Sequence, residues 1–266
     1  SNFRTIVSSL PAIILGKVFN KPVILDYLDI DNSIPNAIYR YIARNSNAIF
    51  SITLQLMEKS INYGCNNPIL VPNFVDTSLF KIDPIIRKDL RKKFNADDNT
   101  IIIGYAGSFA IWEGVPILIN AFSNLNKKYS NVKLAIMGWM RSPSYCDNIP
   151  KLIEDLGLYE SVILIPPQPY NKVPAFLSSF DILCCPKIDL EINRLITPIK
   201  IIEYMSMGLP TVSSAIGGIP NIIQDNFNGF LVKPGDVNEL ENKLEWIIIN
   251  REIAYNRLCQ GRVLLR

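Results

Sequence analysis

Thr197-Pro-Ile-Lys-Ile-Ile-Glu-Tyr-Met-Ser-Met-Gly-Leu-Pro-Thr-Val212 compresses a helix start, a helix stop and the opening of an apolar strand into one stretch. Thr197 suits an N-cap and Pro198 the first helical position, where proline's missing N–H would be unpaired in any case. Ile199, Ile202 and Met205 to Met207 recur at roughly helical spacing, and Gly208 marks the stop. Residues 211–213 then read as a strand. The first turn of such a helix offers unpaired N–H groups and a positive dipole end, so it can hold a phosphate. The amides of Ile199 and Lys200 remain for that task, and Lys200 adds a full charge. Glu203 lies one turn along on the same face. An anion cradle beside a carboxylate suits a nucleoside diphosphate and its ribose.

The helix–strand alternation extends through nearly the whole chain. Strands are predicted at residues 5–8, 22–26, 48–52 and 69–72, separated by helices at 11–19, 34–44 and 53–62. A second series has strands at 100–106, 132–137, 162–165, 182–185 and 211–213. Its helices fall at 115–129, 149–156, 172–178, 199–207 and 237–250. Alternation of this kind implies parallel sheets covered on both faces. The charged stretch 87–98 divides the two series and reads as an inter-domain connection. The expected fold is therefore α/β, with Rossmann-like domains at residues 1–82 and 83–266; one continuous sheet is the alternative.

Ligands of open α/β sheets bind beyond the carboxyl ends of the strands. Gly104-Tyr-Ala-Gly107-Ser108 closes the first strand of the second series, and Cys185-Pro186-Lys187 closes the fourth. With the helix start near Pro198, these segments are expected to line a gulf between two domains.

Composition narrows the chemistry. The 266 residues are 48% hydrophobic and 19% charged, which argues against disorder, and a net charge of +3 is too small to imply nucleic acid. No apolar run approaches the about 18 residues needed to span a bilayer. The chain has no histidine, so a Ser-His-Asp triad or a His-ligated metal is excluded. Five cysteines, two of them adjacent at Cys184-Cys185, point to free buried thiols and a reducing, cytoplasmic setting. The chain begins without Met or a signal peptide, close to a predicted strand, and ends inside a helical pattern. It is therefore expected to be part of a longer protein.

At this point the residues resemble the group-1 glycosyltransferases, GT-B enzymes of family four. After the helix quoted above come Gly217-Gly-Ile-Pro, Asn228-Gly-Phe-Leu-Val and Pro234-Gly-Asp236, in the order of that family's donor-binding region. Val71-Pro-Asn-Phe-Val-Asp76 with Phe80 is similar to the segment closing the family's first domain. Tyr105-Ala-Gly107-Ser108 with Trp112-Glu-Gly-Val115 resembles its Gly-Arg…Lys-Gly loop. The resemblance implies two Rossmann-like parallel-sheet domains facing a cleft, the first incomplete here and the second without its closing helix.

It further implies a nucleotide-sugar donor in the second domain and a glycan or lipid-linked acceptor facing the first. The transfer would be retaining and would need neither metal nor other cofactor. Glu203 would hold the ribose hydroxyls, and Gly107 and Ser108 would approach the diphosphate. Pro198, Ile199 and Lys200 would meet the phosphates or the sugar. Departures from the family pattern are concentrated at the same site. Leu195 stands where an acidic residue touches the transferred sugar. Ser108 and Glu113 replace the arginine and lysine that bind the diphosphate, and Lys200, Arg194 and Lys187 are the cations available to compensate. Leu28 occupies the place of the first domain's usual histidine, beside Asp29 on the acceptor side.

For each residue a plainer role stands beside the functional one. Glu203 and Lys200 could be solvated helix residues, and Gly107-Ser108 only a tight turn. Trp112 could anchor a loop or carry an acceptor. Asp26, Asp29 and Asp31 lack a metal-ligand spacing. Lys88, Arg91, Lys92 and Lys93 read as a solvated helix face, with peripheral contact to the inner face of a membrane as the alternative. Two function classes follow. One is a glycosyltransferase of polysaccharide or glycolipid biosynthesis, with this piece inactive alone. The other is a weakened GT-B protein that binds a nucleotide sugar or supports a partner enzyme.

Overall fold

The computed structural model describes residues 3–27, 35–139 and 148–256, with side chains from residue 8 onward. Elements are numbered along the chain. Two compact units are present, one formed by residues 1–73 and 190–197, the other by 74–189 and 198–266. The sequence suggested a division at 82 and 83; the contacts divide after Asn73. Phe80 explains the difference, because it is fully buried with Ile102, Leu183 and Tyr204 in the second unit's core.

The first unit holds α1 (Phe3–Val18), β1 (Ile24–Tyr27), α2 (Asn36–Asn45), β2 (Ala48–Ser51), α3 (Leu54–Asn62) and β3 (Pro68–Leu70). Its sheet is parallel in the order β1-β2-β3. Residues 5–8 are helical, not the predicted strand. A short apolar run cannot be assigned by periodicity alone, and here it continues into the helix that buries Ile13. Tyr39 stacks on Tyr63 with ring centroids 5.4 Å apart, over a core that includes Tyr27, Ile49 and Leu56. A short helix absent from the sequence reading, α8 (Glu191–Leu195), belongs to this unit. Thr53 caps α3 by accepting from the Leu56 amide at 3.1 Å, and its hydroxyl donates to the Leu195 carbonyl at 2.6 Å. Asn73 donates to the Thr197 carbonyl at 3.1 Å.

The second unit contains α4 (Pro84–Lys93), β4 (Ile101–Ser108), α5 (Val115–Lys128), β5 (Val132–Trp139), α6 (Ile149–Asp155), β6 (Val162–Ile165), α7 (Val173–Leu177) and β7 (Ile182–Cys185). After these come α9 (Ile199–Met207), β8 (Thr211–Ser214), β9 (Phe230–Val232) and α10 (Val237–Ile249). All six strands are parallel in the order β6-β5-β4-β7-β8-β9. The chain winds outward from β4 in one direction, then crosses back and winds in the other. That reversal leaves a crevice at the carboxyl ends of β4 and β7.

Alternation along β4 feeds two cores. Ile101, Ile103 and Tyr105 face α5 and α10, whereas Ile102 and Ala106 face the layer containing α9. Cys184 and Cys185 likewise enter opposite cores, as successive strand residues must, and both are free thiols. Cys65 is also free and buried; Cys146 and Cys259 lie outside the described residues.

The basic run proves to be more than a solvated face. Asp83 caps α4 by accepting from the amides of Ile85 and Ile86 at 2.9 and 3.0 Å. Arg91 is buried, with Nη1 2.8 Å from the Asp181 carboxylate, and Nη2 donates to the carbonyls of Asp97 and Thr100. Arg87 reaches the other Asp181 oxygen at 2.6 Å. Asp181 also accepts from the Ile102 amide at 2.8 Å. This carboxylate clamps α4 onto the sheet, so the stretch read as a connection is integral to the second unit.

Substituting Asp181→Ala leaves Arg91 buried without its counter-ion. The expected loss is about 3–5 kcal/mol of unfolding free energy in urea titrations. Lys128→Ala, which breaks exposed pairs with Glu241 and Glu245, should cost less than about 1 kcal/mol in the same measurement.

Candidate functional site

The second unit places its predicted site residues around the start of α9. This helix spans the expected residues 199–207, but its cap lies one residue later than the expected Thr197. Pro198 is its N-cap, with φ −66° and ψ 134° and no side-chain capping bond, and Thr197 is not the cap. Gly208 ends the helix in the left-handed region at φ 69°, as expected. Tyr204 fixes the helix against β4. Its hydroxyl accepts from the Ala106 amide at 2.8 Å and donates to the Ala106 carbonyl at 3.1 Å. Lys200 lies one turn before Tyr204 on that face, so it too is brought to the end of β4.

An open cavity of about 290 Å³ lies there. The ends of β4 and β5 line it with Ala106, Gly107, Met137, Gly138 and Trp139. Pro167, Gln168, Tyr170 and Val173 follow from beyond β6, and α9 contributes Ile199, Lys200 and Glu203. Gly107 and Gly138 are partners in the sheet register. A Cβ at Gly107 would strike the Lys200 ammonium, and one at Gly138 would strike the Gly107 carbonyl. Only glycines keep this floor low.

Lys200 does not stand free. Its Nζ is 2.8 Å from Glu113 Oε2, 3.1 Å from the Tyr105 hydroxyl and 4.4 Å from the Tyr105 ring centre. Lys187, only 2% exposed, reaches Glu113 Oε1 at 2.8 Å. The single Tyr105 hydroxyl proton is shared between the Ser108 carbonyl at 2.6 Å and Glu113 Oε2 at 3.2 Å. Burial pushes the Glu113 carboxyl up, but the charges and hydrogen bonds of Lys200 and Lys187 outweigh it and hold the group at about 2. Burial pushes Lys200 down, and Glu113 more than reverses this, raising it above its ordinary value. Burial, then Glu113, pushes Tyr105 far up.

Glu203 is in the opposite condition. It is 6% exposed, and its Oε1 has no hydrogen-bond partner among the described residues. Burial raises its carboxyl, and a hydrogen bond from Tyr170 and the charge of Lys200 only partly offset this. Burial and Glu203 in turn push Tyr170 up to about 12. A buried carboxylate oxygen without a donor is costly unless something else supplies one.

Thus Gly107, Ile199, Lys200 and Glu203 line one cavity. Ser108 contributes its carbonyl to Tyr105 instead, and Lys187 stands behind the cavity, paired with Glu113. Pro198 is the helix cap and not a lining residue. Arg194 sits on α8 of the first unit and is not among the residues that the second unit assembles. Asp29, like Leu28 and Asp31, lies outside the described residues. The sequence reading missed Trp139, Gln168 and Tyr170. Gly138-Trp139 at a strand end facing Gly107 was the signal available.

The later glycine motifs form turns and a helix cap. Gly217 has φ 60°, but Gly218 has an ordinary φ of −84°. Asn228 accepts from the Gln224 amide and donates to the Ile222 carbonyl, pinning the turn into β9. Asp236 caps α10 by accepting from the Glu239 amide at 2.9 Å.

The pH dependence follows from these shifts. Glu113, held below its ordinary value, stabilises the fold fully above about pH 4.5 and loses that contribution as pH falls towards about 2. Urea midpoints for the wild type and Glu113→Gln should differ most near neutrality and converge between about pH 4.5 and 2. A constant difference across that range would show that the carboxylate charge contributes nothing.

A family model for the glycosyl transferases group 1 matches residues 86–260. The chain is 23% identical over 196 residues to a GDP-mannose-dependent α-(1-6)-phosphatidylinositol monomannoside mannosyltransferase of Mycobacterium tuberculosis, covering 72% of this chain and 49% of that protein. It is 24% identical to an N-acetyl-α-D-glucosaminyl L-malate synthase of Bacillus anthracis, covering 70% and 45%. It therefore spans about half the length of the curated relatives it matches. Among solved structures, Anabaena HepE in complex with UDP superimposes with a TM-score of 0.85 at 19% identity, covering 98% of this chain and 72% of that one. Sucrose-phosphate synthase from Thermosynechococcus elongatus gives 0.80 at 19% identity, covering 98% and 67%. Two parallel α/β sheets, the GT-B likeness and the match across most of the second unit lead to one conclusion: the chain belongs to the glycosyl transferases group 1 family.

Proposed function

We propose that the second unit binds the nucleoside diphosphate of a sugar donor in the cavity at the start of α9, and that the whole protein transfers the sugar to a glycan or lipid-linked acceptor. The observation carrying this reading is the pairing, one turn apart, of Lys200 at the cavity wall with a buried Glu203 oxygen that lacks a donor. A ribose diol supplies such donors. The diphosphate would meet the first turn of α9, the Lys200 ammonium and the open backbone at Gly107. HepE structures with UDP, and with UDP-glucose, support the ligand class.

The chemistry that this arrangement favours is stabilisation of the negative charge developing on the departing diphosphate. We take the transfer to be retaining and independent of metal, with the leaving group assisting the acceptor. By the family resemblance we assign Arg194 to the donor-binding cations and Asp29 to the acceptor side in the whole protein. A second reading, a weakened GT-B protein that binds a nucleotide sugar or supports a partner enzyme, is favoured by Leu195, Ser108 and Glu113 in place of the family's acidic residue, arginine and lysine. Among the described residues no helix is long and apolar enough to cross a membrane; we place the protein in the cytoplasm, at most peripheral to the membrane.

Calorimetric titration with UDP-, GDP- and ADP-sugars tests the proposal. One of them should bind, and Glu203→Ala should weaken it by about tenfold or more. Glu203→Gln should weaken binding while melting at or above the wild-type temperature, because it removes a charge whose carboxyl is raised by burial. Binding unaffected by both substitutions would remove Glu203 from the site. A response to none of the nucleotides would reject the donor reading.

A further inference from the structure

A carboxylate beside a diphosphate site is expected to repel the ligand, yet Glu113 is buried there and held at full charge. We propose that Glu113 is a positioning residue for the diphosphate: it gathers Lys187 and Lys200, leaves the trio one net positive charge, and fixes the Lys200 ammonium at the cavity wall. The proposal rests on the donor reading above and assigns the residue that makes its cation usable.

Several features show that the trio is built into the fold. Each Glu113 oxygen takes a different lysine at 2.8 Å, so neither lysine is left to the other's repulsion. Gly114 adopts φ 69°, and a Cβ there would strike the Pro186 carbonyl. That close approach lays the Pro186-Lys187 segment against the turn carrying Glu113. Gly107 clears the space that the Lys200 ammonium occupies. Tyr105 adds a hydrogen bond to Glu113 and a ring face to Lys200. Burying two ammonium groups without a counter-ion would be costly, and a carboxylate between them offsets that cost while preserving a net positive charge.

Charge and position predict opposite results, which makes the idea testable. If Glu113 acts only through its charge, Glu113→Gln adds positive potential and tightens nucleotide binding. If it positions Lys200, the same change weakens binding although the site becomes more positive. Titration calorimetry of the full chain with UDP, GDP and ADP should show a loss of about tenfold or more in Glu113→Gln for whichever diphosphate the wild type binds. Glu113→Asp keeps the charge but is too short to span both lysines, and it should also bind more weakly.

Affinity of Glu113→Gln should also fall from about pH 7 to 9 more steeply than that of the wild type, because the unbridged ammonium groups repel. The titratable groups around Lys200 are Glu113, Tyr204, Cys185, Tyr105 and Glu203, with Lys187 across the Glu113 carboxylate; of these only Glu113 is altered. A wild type that binds no diphosphate rejects the donor reading itself. Wild-type binding with equal or tighter binding by Glu113→Gln overturns the positioning role alone. Should Glu113→Gln be unfolded by circular dichroism, Glu113→Asp decides the matter, and wild-type affinity in it overturns the role.

Discussion

The second unit's site is organised around one buried ion cluster, Glu113 between Lys187 and Lys200. It ties together three separate parts of the fold: the turn after β4, the segment leaving β7, and the first turn of α9. Each lysine alone would be an expensive burial, and each becomes tolerable because the carboxylate is shared. The glycines at 107 and 114 are needed because the cluster requires backbone and ammonium closer than a Cβ would allow. Its net positive charge sits at the crevice produced by the reversal of strand order between β4 and β7.

Glu203 shows a complementary expense. Packing could have neutralised or solvated this carboxyl, yet it is buried with one oxygen unpartnered and its affinity for a proton raised. Fully satisfied clusters such as Arg87, Arg91 and Asp181 hold the fold together. The Glu203 oxygen, in contrast, is buried at the wall of a cavity without a protein partner among the described residues. Side by side on α9, Lys200 and Glu203 differ in this respect: the lysine is paired with Glu113, and one oxygen of the glutamate has no partner among the described residues.

Much of the organisation was legible in sequence because strands and helices in a doubly wound sheet carry strong local signals. Runs such as Ile101 to Ile103 and Ile182 to Cys185 are apolar on both sides, and the helices between them have clear starts and stops. The reading failed where local signals were weak or shared. Residues 5–7 are β-branched yet helical, α8 is too short to show periodicity, and Phe-Leu-Val at 230–232 is too short a run to read as the strand β9 that it forms. The charges of α4 looked solvated because nothing local distinguishes Arg91 from Lys92; Asp181, far along the chain, makes the difference.

The sequence by itself determined the α/β alternation, the family, and the presence of Lys200 and Glu203 one turn apart beside a phosphate-capable helix start. Those features depend on spacing within a few residues. Only the tertiary structure decided the meaning of Glu113, which in sequence replaces a cation and in space gathers two. It also decided that Lys187 stands behind the cavity while Trp139, Gln168 and Tyr170 enter it. These outcomes depend on distances between β4, β5, the segment after β6 and α9, and on how much each charge gains from partners remote in the chain. Pairwise electrostatics across a buried sheet edge leaves no mark in local periodicity.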